Sequence, residues 1–415
     1  MHVNKISLTN YKNFPSISFT FNSSINCFVG NNGKGKSNIL DSIYHLAFGK
    51  SFFNTITTQN IMFNKTFFVI EGEFEINSRK EKITCSYKKG QKKILKRNNT
   101  IYEKFSDHIG LIPLVLISPD DIDLINDGSV LRRKFIDGIL GQIFPEYLRN
   151  LIDYNKILAQ RNSLLKYFAS NQTFDKNAIK IYNLQLIKTG IPLHQFRTNF
   201  IKSFSPLFLK RYQAISKEKE IVELNYKSSL NQNSFEELLE NSINKDRAFQ
   251  FTTEGIHKDD IELLIHGKTI KKFGSQGQKK TYLISLKIAQ FDYLRKEKGI
   301  SPIVLLDDIF DKLDQKRVTN LLKLMIDQNF GQIFLTDTHK KRTLEALKSV
   351  NSDYEAKRFK DVALQEPKIH LAKKNLFYQW MKNQGKLGRQ FKVPRLSNER
   401  TYLESLLNLN NEPLN

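Results

Sequence analysis

An α/β fold with a helical domain inserted into it is predicted by three observations in this 415-residue sequence. A short apolar run, Ile25-Asn26-Cys27-Phe28-Val29, is stopped by a glycine-rich octapeptide and followed at once by residues at helical spacing. A second apolar run, Ile303-Val304-Leu305-Leu306, ends in the adjacent carboxylates Asp307 and Asp308, as a strand buried on both faces does at its polar end. Between about 120 and 250, Leu, Ile, Phe and Tyr recur at three- and four-residue intervals, with Lys and Arg on the remaining faces.

The elements follow in order. Residues 3–11 and 16–21 alternate with period two and 25–29 is apolar, so three strands open the chain. From Ser37, the residues Ile39, Leu40, Ile43, Tyr44, Leu46 and Ala47 mark a helix that ends at Gly49. Residues 67–76, 81–88 and 92–102 read as an antiparallel patch, with Lys89-Gly90 and Asn98-Asn99 as turn signals. The helical region follows, with Leu148, Leu151, Ile152, Asn155 and Leu158 as a sample of its spacing. Strands are expected again at 249–254 and 261–265, a helix at 276–298, and strands at 303–306 and 332–336. No repeat of 20–50 residues and no sustained heptad is visible.

Composition excludes several classes. With 40% hydrophobic and 26% charged residues, the chain is globular rather than disordered. Its longest uncharged apolar stretch, 109–119, falls far short of the roughly 18 residues a membrane span needs. The N-terminus lacks the unbroken apolar core of a secretory signal, so a cytoplasmic location is expected. Cys27 and Cys85 are too few for a disulfide scaffold and lack metal-site spacing. Sixty-five Lys and Arg against 42 Asp and Glu leave a formal charge of +23, the footprint of a partner made of phosphates. The abundance of Lys, Asn, Ile and Phe is also what an AT-rich coding bias produces, so charge alone does not choose between nucleic acid and solvated surface.

The chemistry lies in short motifs. Gly30-Asn31-Asn32-Gly33-Lys34-Gly35-Lys36-Ser37 fits the GxxxxGK[ST] phosphate loop in its required setting, strand before and helix after. Glycines let backbone N–H groups turn onto a phosphate, the helix N-terminus adds partial positive charge, and Lys36 reaches the β/γ oxygens. Ser37 is expected to ligate Mg²⁺, with Asp307 in the same metal shell and Asp308 orienting the attacking water. Ser275-Gln276-Gly277-Gln278 has capping-box spacing before a helix, usually no more than a helix start. Beside a phosphate loop it reads as a second anion-binding head, able to share one nucleotide between two such heads. The acidic strand continues to Asp314, and His339 follows the 332–336 strand as a candidate γ-phosphate sensor, though a lone His is more often structural.

The order of phosphate loop, SQGQ, acidic strand, LD pair and His resembles the ABC-type P-loop ATPase heads of the SMC and RecF class, a mixed-sheet α/β fold with an inserted helical domain. Leu8–Phe14, Val29–Ser37, Leu46–Ser51, Ile117–Asp121, Leu131–Asp137, Gly255–Asp260 and Phe273–Thr281 all resemble segments of the RecF family, and the likeness covers about residues 1–342. That resemblance implies an ATP- and Mg²⁺-dependent protein of DNA replication, recombinational repair and the SOS response. It implies binding to single-stranded and gapped duplex DNA, an ATP-dependent homodimer with Ser275, Gln276, Gly277, Gln278 and Asp314 at the shared nucleotide, and action with RecO and RecR to load RecA at gaps. The expected division is an ATPase lobe in two parts, 1–119 and 249–345, with a helical insertion at 120–248. Two departures stand out. Phe52-Phe53 replaces a frequent His-Arg pair, and Asp308 stands where most ABC ATPases have Glu, which predicts slow hydrolysis.

Residues from about 347 to 415 instead resemble the C-terminal end of auxin-conjugating-type acyl-adenylating synthetases, so 346–415 is expected to be a foreign extension, as from a gene fusion. Without the large adenylating domain, no acyl-adenylate chemistry is expected of it. The other readings are an ABC-type transport ATPase subunit, disfavoured by the long basic segment between Lys36 and Ser275, and a fusion product without function.

Overall fold

The computed structural model describes residues 1–216, 220–308, 315–328 and 330–338, with 383, 404–406 and 408. Polar–apolar alternation at the start forms the antiparallel strands β1 (His2–Tyr11) and β2 (Phe14–Thr20). The chain then crosses to β3 (Ile25–Val29), turns through the glycine loop and enters α1 (Lys36–Phe48), which ends at the left-handed Gly49. Strands β4 (Phe67–Ile76), β5 (Arg79–Lys88), β6 (Ile94–Arg97) and β7 (Thr100–Ile101) extend the first pair into a six-stranded sheet, β2-β1-β4-β5-β6-β7. The turn read at Asn98-Asn99 forms: both residues take left-handed conformations and turn β6 back on β7.

After β8 (Leu114–Ile117) come the helices α2 (Asp123–Asn126), α3 (Ser129–Ile143), α4 (Pro145–Ser170) and α5 (Lys176–Ser216). Then follow β9 (Val222–Lys227), α6 (Phe235–Asn241), α7 (Ile243–Phe249), β10 (Asp260–Ile265), β11 (Lys268–Thr269) and α8 (Ile270–Phe273). The described chain continues with α9 (Gln276–Lys298), β12 (Ile303–Leu306), α10 (Gln315–Asp327) and β13 (Ile333–Asp337).

Strand β9 lies inside the stretch read as helical, where Val222, Leu224 and Tyr226 alternate; it pairs antiparallel with β10 in a three-stranded sheet. Residues 249–254 are not the expected strand. Helix α7 runs through Phe249, Gln250 is left-handed, and the N–H groups of Thr252 and Thr253 donate to the side chains of Asn162 and Asp246 instead of to a neighbouring strand.

Four strands run parallel in the order β3-β13-β12-β8. Ile303 and Leu305 of β12, Leu114 and Leu116 of β8, and Phe334 of β13 pack with the six-stranded sheet and α1. Their neighbours Val304, Leu306, Val115, Ile117, Ile333 and Leu335 pack on the other side with α3, α5, α9 and the three-stranded sheet. The parallel sheet therefore divides two cores, and β8, β12 and β13 are buried on both faces while the edge strand β3 stays partly exposed, which is why the first three read as apolar runs rather than alternations. Helix α9 is buried through its middle, from Thr281 to Phe291, because it lies among helices and sheet on every side.

Buried polar side chains join the layers. Gln332, just before β13, accepts from Val3 N–H at 2.7 Å and donates to Val3 C=O at 2.8 Å and Asn22 C=O at 2.7 Å, tying the two larger sheets together. Arg197 of α5 bonds Asp137 of α3, Asp259 and the carbonyl of Ile256. Replacing Gln332 with Leu strands the buried N–H and C=O of Val3, at a cost of about 3 kcal/mol; equilibrium denaturation by urea is expected to show a correspondingly lower midpoint with unchanged slope.

Candidate functional site

Because β3, β13, β12 and β8 are parallel, their carboxyl ends meet along one edge, the position at which open α/β sheets bind ligands. The N–H of Gly30 donates to the carbonyl of Asp337 at 3.2 Å, holding the glycine loop beside the end of β13, whose other neighbour, β12, ends at Asp307. Gly33 and Gly35 have φ of 77° and 92°, the left-handed region that a side chain disfavours. A Cβ at Gly35 would also lie 2.4 Å from the side-chain amide of Asn13 and 2.7 Å from the Phe14 ring, so the loop is packed against the β1–β2 turn.

Gly35 caps α1 without a side-chain acceptor, which leaves the first amides of the helix for an anion. Lys36 is buried, and its Nζ donates to the carbonyls of Gly30 at 2.7 Å and Asn31 at 3.2 Å, so the ammonium is folded back over the loop. Asn31, Asn32, Gly33 and Lys34 are exposed at the loop's mouth.

The predicted metal pair is brought near one another: Ser37, at the start of α1, is close enough to the Asp307 carboxylate to pull on its protonation. Burial holds the Asp307 carboxyl above the usual carboxylate range, against the pull of its bonds with Thr336 and Ser37 and of the Lys36 charge; the nearby Asp120 adds to the rise. Thr336 of β13 donates from Oγ1 to Asp307 Oδ1 at 2.8 Å and accepts from the Asp308 N–H at 2.8 Å. Asp308 itself is left-handed, with φ of 41°, so the chain turns sharply as it leaves β12. A hydroxyl and a carboxylate close to one another fit magnesium, which takes few protein ligands and completes its shell with phosphates and water. Among the described residues no cluster of three or more His, Cys, Asp or Glu offers a rival metal site. Asp314 and His339 lie outside the described residues.

The SQGQ segment stands apart from this edge. Ser275 caps α9: its Oγ accepts from Gln278 N–H at 3.2 Å, and Gln278 Oε1 accepts from Ser275 N–H at 2.7 Å. The Gln278 amide also donates to Glu220 at 2.5 Å, so its side chain holds the cap. Ser275 and Gln276 are exposed and Gly277 is half-buried. Among the described residues, no hydrogen bond joins this segment to the phosphate loop.

Thr336 and Asp120 were not foreseen as site residues. Asp120 falls within the Ile117–Asp121 segment already singled out, which gave it no role, and Thr336 has no signal of its own because it acts through the strand that lies beside it. Asp41 was also missed, although a carboxylate among the apolar positions of α1 marks it. Fully buried, it accepts from Tyr11 Oη at 2.9 Å, Ser51 Oγ at 2.6 Å and Phe52 N–H at 2.7 Å, and pairs with Lys12 Nζ at 2.6 Å. It binds the end of β1 and the 51–52 segment to the phosphate-loop helix. Burial holds His45, one turn further along α1, down to about 3, so its ring is neutral. The Phe53 ring of the Phe52-Phe53 pair lies 5.4 Å from Lys12 Nζ.

Residues 2–358 match the model of the RecF/RecN/SMC N-terminal domain, and residues 331–401 match that of the GH3 family C-terminal domain. The chain is 53% identical over 354 residues to the DNA replication and repair protein RecF of Flavobacterium johnsoniae, covering 85% of this chain and 99% of that protein. It is 45% identical to RecF of Bacteroides thetaiotaomicron over 355 residues, 85% of this chain and 95% of that one. Among solved structures it resembles the recombination mediator protein RecF with ATPrS in the RecFOR pathway, with a TM-score of 0.77, 29% identity and coverage of 82% and 93%. The same mediator with ATP superposes with a TM-score of 0.75 at 28% identity, covering 81% and 92%.

The raised Asp307 yields a test. An acid whose folded-state pKa lies above its free-chain value destabilises the fold as pH rises through that interval, and the penalty is absent below the free-chain value. Asp307→Asn is therefore expected to raise the melting temperature of the ligand-free chain at neutral pH while abolishing the extra stabilisation by magnesium with nucleotide. A thermal melt with and without each ligand checks both.

Proposed function

The chain belongs to the RecF family of DNA replication and repair proteins, and we propose that it works as an ATP-gated DNA clamp in which two copies close around two nucleotides. The observation that carries this reading is that the phosphate loop and Asp307 meet at one edge of the parallel sheet, Gly30 bonded to Asp337 at the end of β13 and Thr336 of the same strand bonded to Asp307. When bound, ATP supplies the bond to be broken and magnesium supplies Lewis acidity at its phosphate oxygens. The amides of residues 33–37 and the Lys36 ammonium, which now bonds the carbonyls of Gly30 and Asn31, would hold the β- and γ-phosphates. Ser37 and Asp307 would hold the magnesium. Asp308 orients a water and accepts its proton, and His339 senses the γ-phosphate.

Thr336 aligns both acids, since one hydroxyl contacts the Asp307 side chain and the Asp308 backbone. The Asp308 carboxylate is one methylene shorter than Glu and holds water less closely, which supports slow turnover suited to a timed clamp. The absence of any hydrogen bond between SQGQ and the phosphate loop among the described residues supports completion of each site by the Ser275 cap of a second copy. Gln278 contributes there by fixing that cap rather than by touching phosphate. In this reading residues 1–119 and 249–345 form the ATPase lobe, 120–248 the helical domain, and 346–415 an extension foreign to the head. Single-stranded and gapped duplex DNA, RecO and RecR are the proposed partners, with RecA loading at gaps as the outcome. No described helix is long and apolar enough to cross a membrane.

Light scattering of the whole chain with Mg-ATP, with ADP, and with ATP plus gapped duplex tests the clamp. Mass is expected to double with ATP alone and more completely with DNA; a monomer under every condition would overturn the proposal. Lys36→Ala is expected to remain monomeric, and Asp308→Asn to bind ATP and stay closed. Ser275→Arg should bind ATP as a monomer yet fail to dimerise. Parental ATP hydrolysis by Asp308→Asn would sink the role given to that acid.

A further inference from the structure

Away from the nucleotide site, an open groove of about 850 Å³ lies between the turn that follows α7 and the end of β9. Two phenylalanines stand on it in water: Phe249 is 57% exposed and Phe251 39%, with ring centroids 5.8 Å apart and planes at 37°. The Lys258 ammonium lies 4.8 Å from the centre of the Phe251 ring, and Lys245 lines the same groove. Neither lysine has a carboxylate partner among the described residues. The groove's two other ions of note are already matched, Asp260 by Arg132 and Lys227 by Glu262, which leaves Glu254 as its one remaining acid.

The exposed rings are held in place by a buried polar network. Arg161 and Asp246 are fully buried and paired at 2.7 Å. Arg161 also donates to Thr252 Oγ1 at 2.8 Å, and Asp246 Oδ1 accepts from the N–H and hydroxyl of Thr253 at 2.8 and 2.6 Å. Thr252 donates from both its N–H and its hydroxyl to Asn162 Oδ1 at 2.8 Å. The residues directly after Phe251 are thus anchored from two helices, while the left-handed turn at Gln250 sets Phe251 off from Phe249, the last residue of α7. Burying an ion pair and leaving two phenyl rings in water are each unfavourable. A segment that does both is built to present the rings, because a loosely held one would fold them inward.

Paired aromatic faces flanked by unpaired cations are the elements with which proteins hold single strands: bases stack on the rings and the backbone tracks the cations. We propose that this groove binds unpaired DNA, with a base against Phe249 and Phe251 and the neighbouring phosphates on Lys245 and Lys258. The inference rests on the DNA-binding reading above and gives it a location. An apolar protein surface fits less well, since it would desolvate both lysines without supplying an acid. Stacking accepts any base, so the groove has no sequence preference of its own.

The test is fluorescence anisotropy of the full chain with labelled oligothymidine and with a blunt duplex of equal length, across a salt series. Phe249→Ser with Phe251→Ser is expected to weaken oligothymidine binding about tenfold or more and leave blunt-duplex binding within about twofold. Lys245→Gln with Lys258→Gln should reduce the slope of log affinity against log salt by about 1.4 for the single strand, at about 0.7 per phosphate contact. Because the rings are exposed, the melting temperature should be unchanged; if the double variant fails to fold, Phe249→Ser alone carries the measurement. Photocrosslinking of a bromodeoxyuridine strand to the peptide holding residues 249–251 is the second readout, and its absence with a strand that binds would count against the groove. Parental affinity in both double variants overturns this proposal and leaves the clamp standing. An equal loss for strand and duplex overturns the assignment to unpaired DNA, and failure of the parent chain to bind either DNA overturns both readings.

Discussion

Three strands of the parallel sheet β3-β13-β12-β8, namely β13, β12 and β8, are covered on both faces, and most of the remaining arrangement depends on that one constraint. Strands buried on two faces are apolar along their length, so their polar chemistry is confined to where they end. Parallel pairing then places all four carboxyl ends on one edge. The glycine loop, Asp307, Asp308 and Asp337 meet there although three hundred residues separate the first from the last. The site is a consequence of topology as much as of any side chain.

Polar groups that cross the layers are few and heavily used. Gln332 joins the two larger sheets, Asp41 collects four donors around α1, and Arg197 holds α5 to α3 and to the turn before β10. Lys287 of α9 bonds the Leu116 carbonyl at 3.0 Å and pairs with Asp121 at 2.5 Å. The helix whose first residues form the SQGQ cap is therefore fastened, about three turns on, to the segment bearing Asp120, whose charge is felt by the metal-ligand candidate Asp307. Signature and metal edge share no direct bond among the described residues, but they are connected through a buried helix.

Local patterns were legible where one element's own residues decide its state. The period-two opening, the α1 spacing and the Asn98-Asn99 turn all correspond to what forms, the turn joining β6 to β7. The strand expected at 249–254 fails because apolar residues there are offered to solvent, while the backbone bonds to Asn162 and Asp246 from other elements. Strand β9 was hidden because three alternating residues inside a helical neighbourhood become a strand only when β10 arrives to pair with them.

By itself the sequence determined the α/β class, the phosphate loop, the acidic pair and the SQGQ cap, because each is a contiguous string whose backbone geometry and charge act locally. Tertiary structure alone decided that Thr336 bridges the two acids, that the Asp120 charge acts on Asp307, that Gln278 serves Glu220, and that Phe249 and Phe251 are exposed. Those outcomes depend on which strands become neighbours and on which distant donors satisfy a buried carboxylate. Such choices are made by pairing and burial across the whole chain, and no short window of residues contains them.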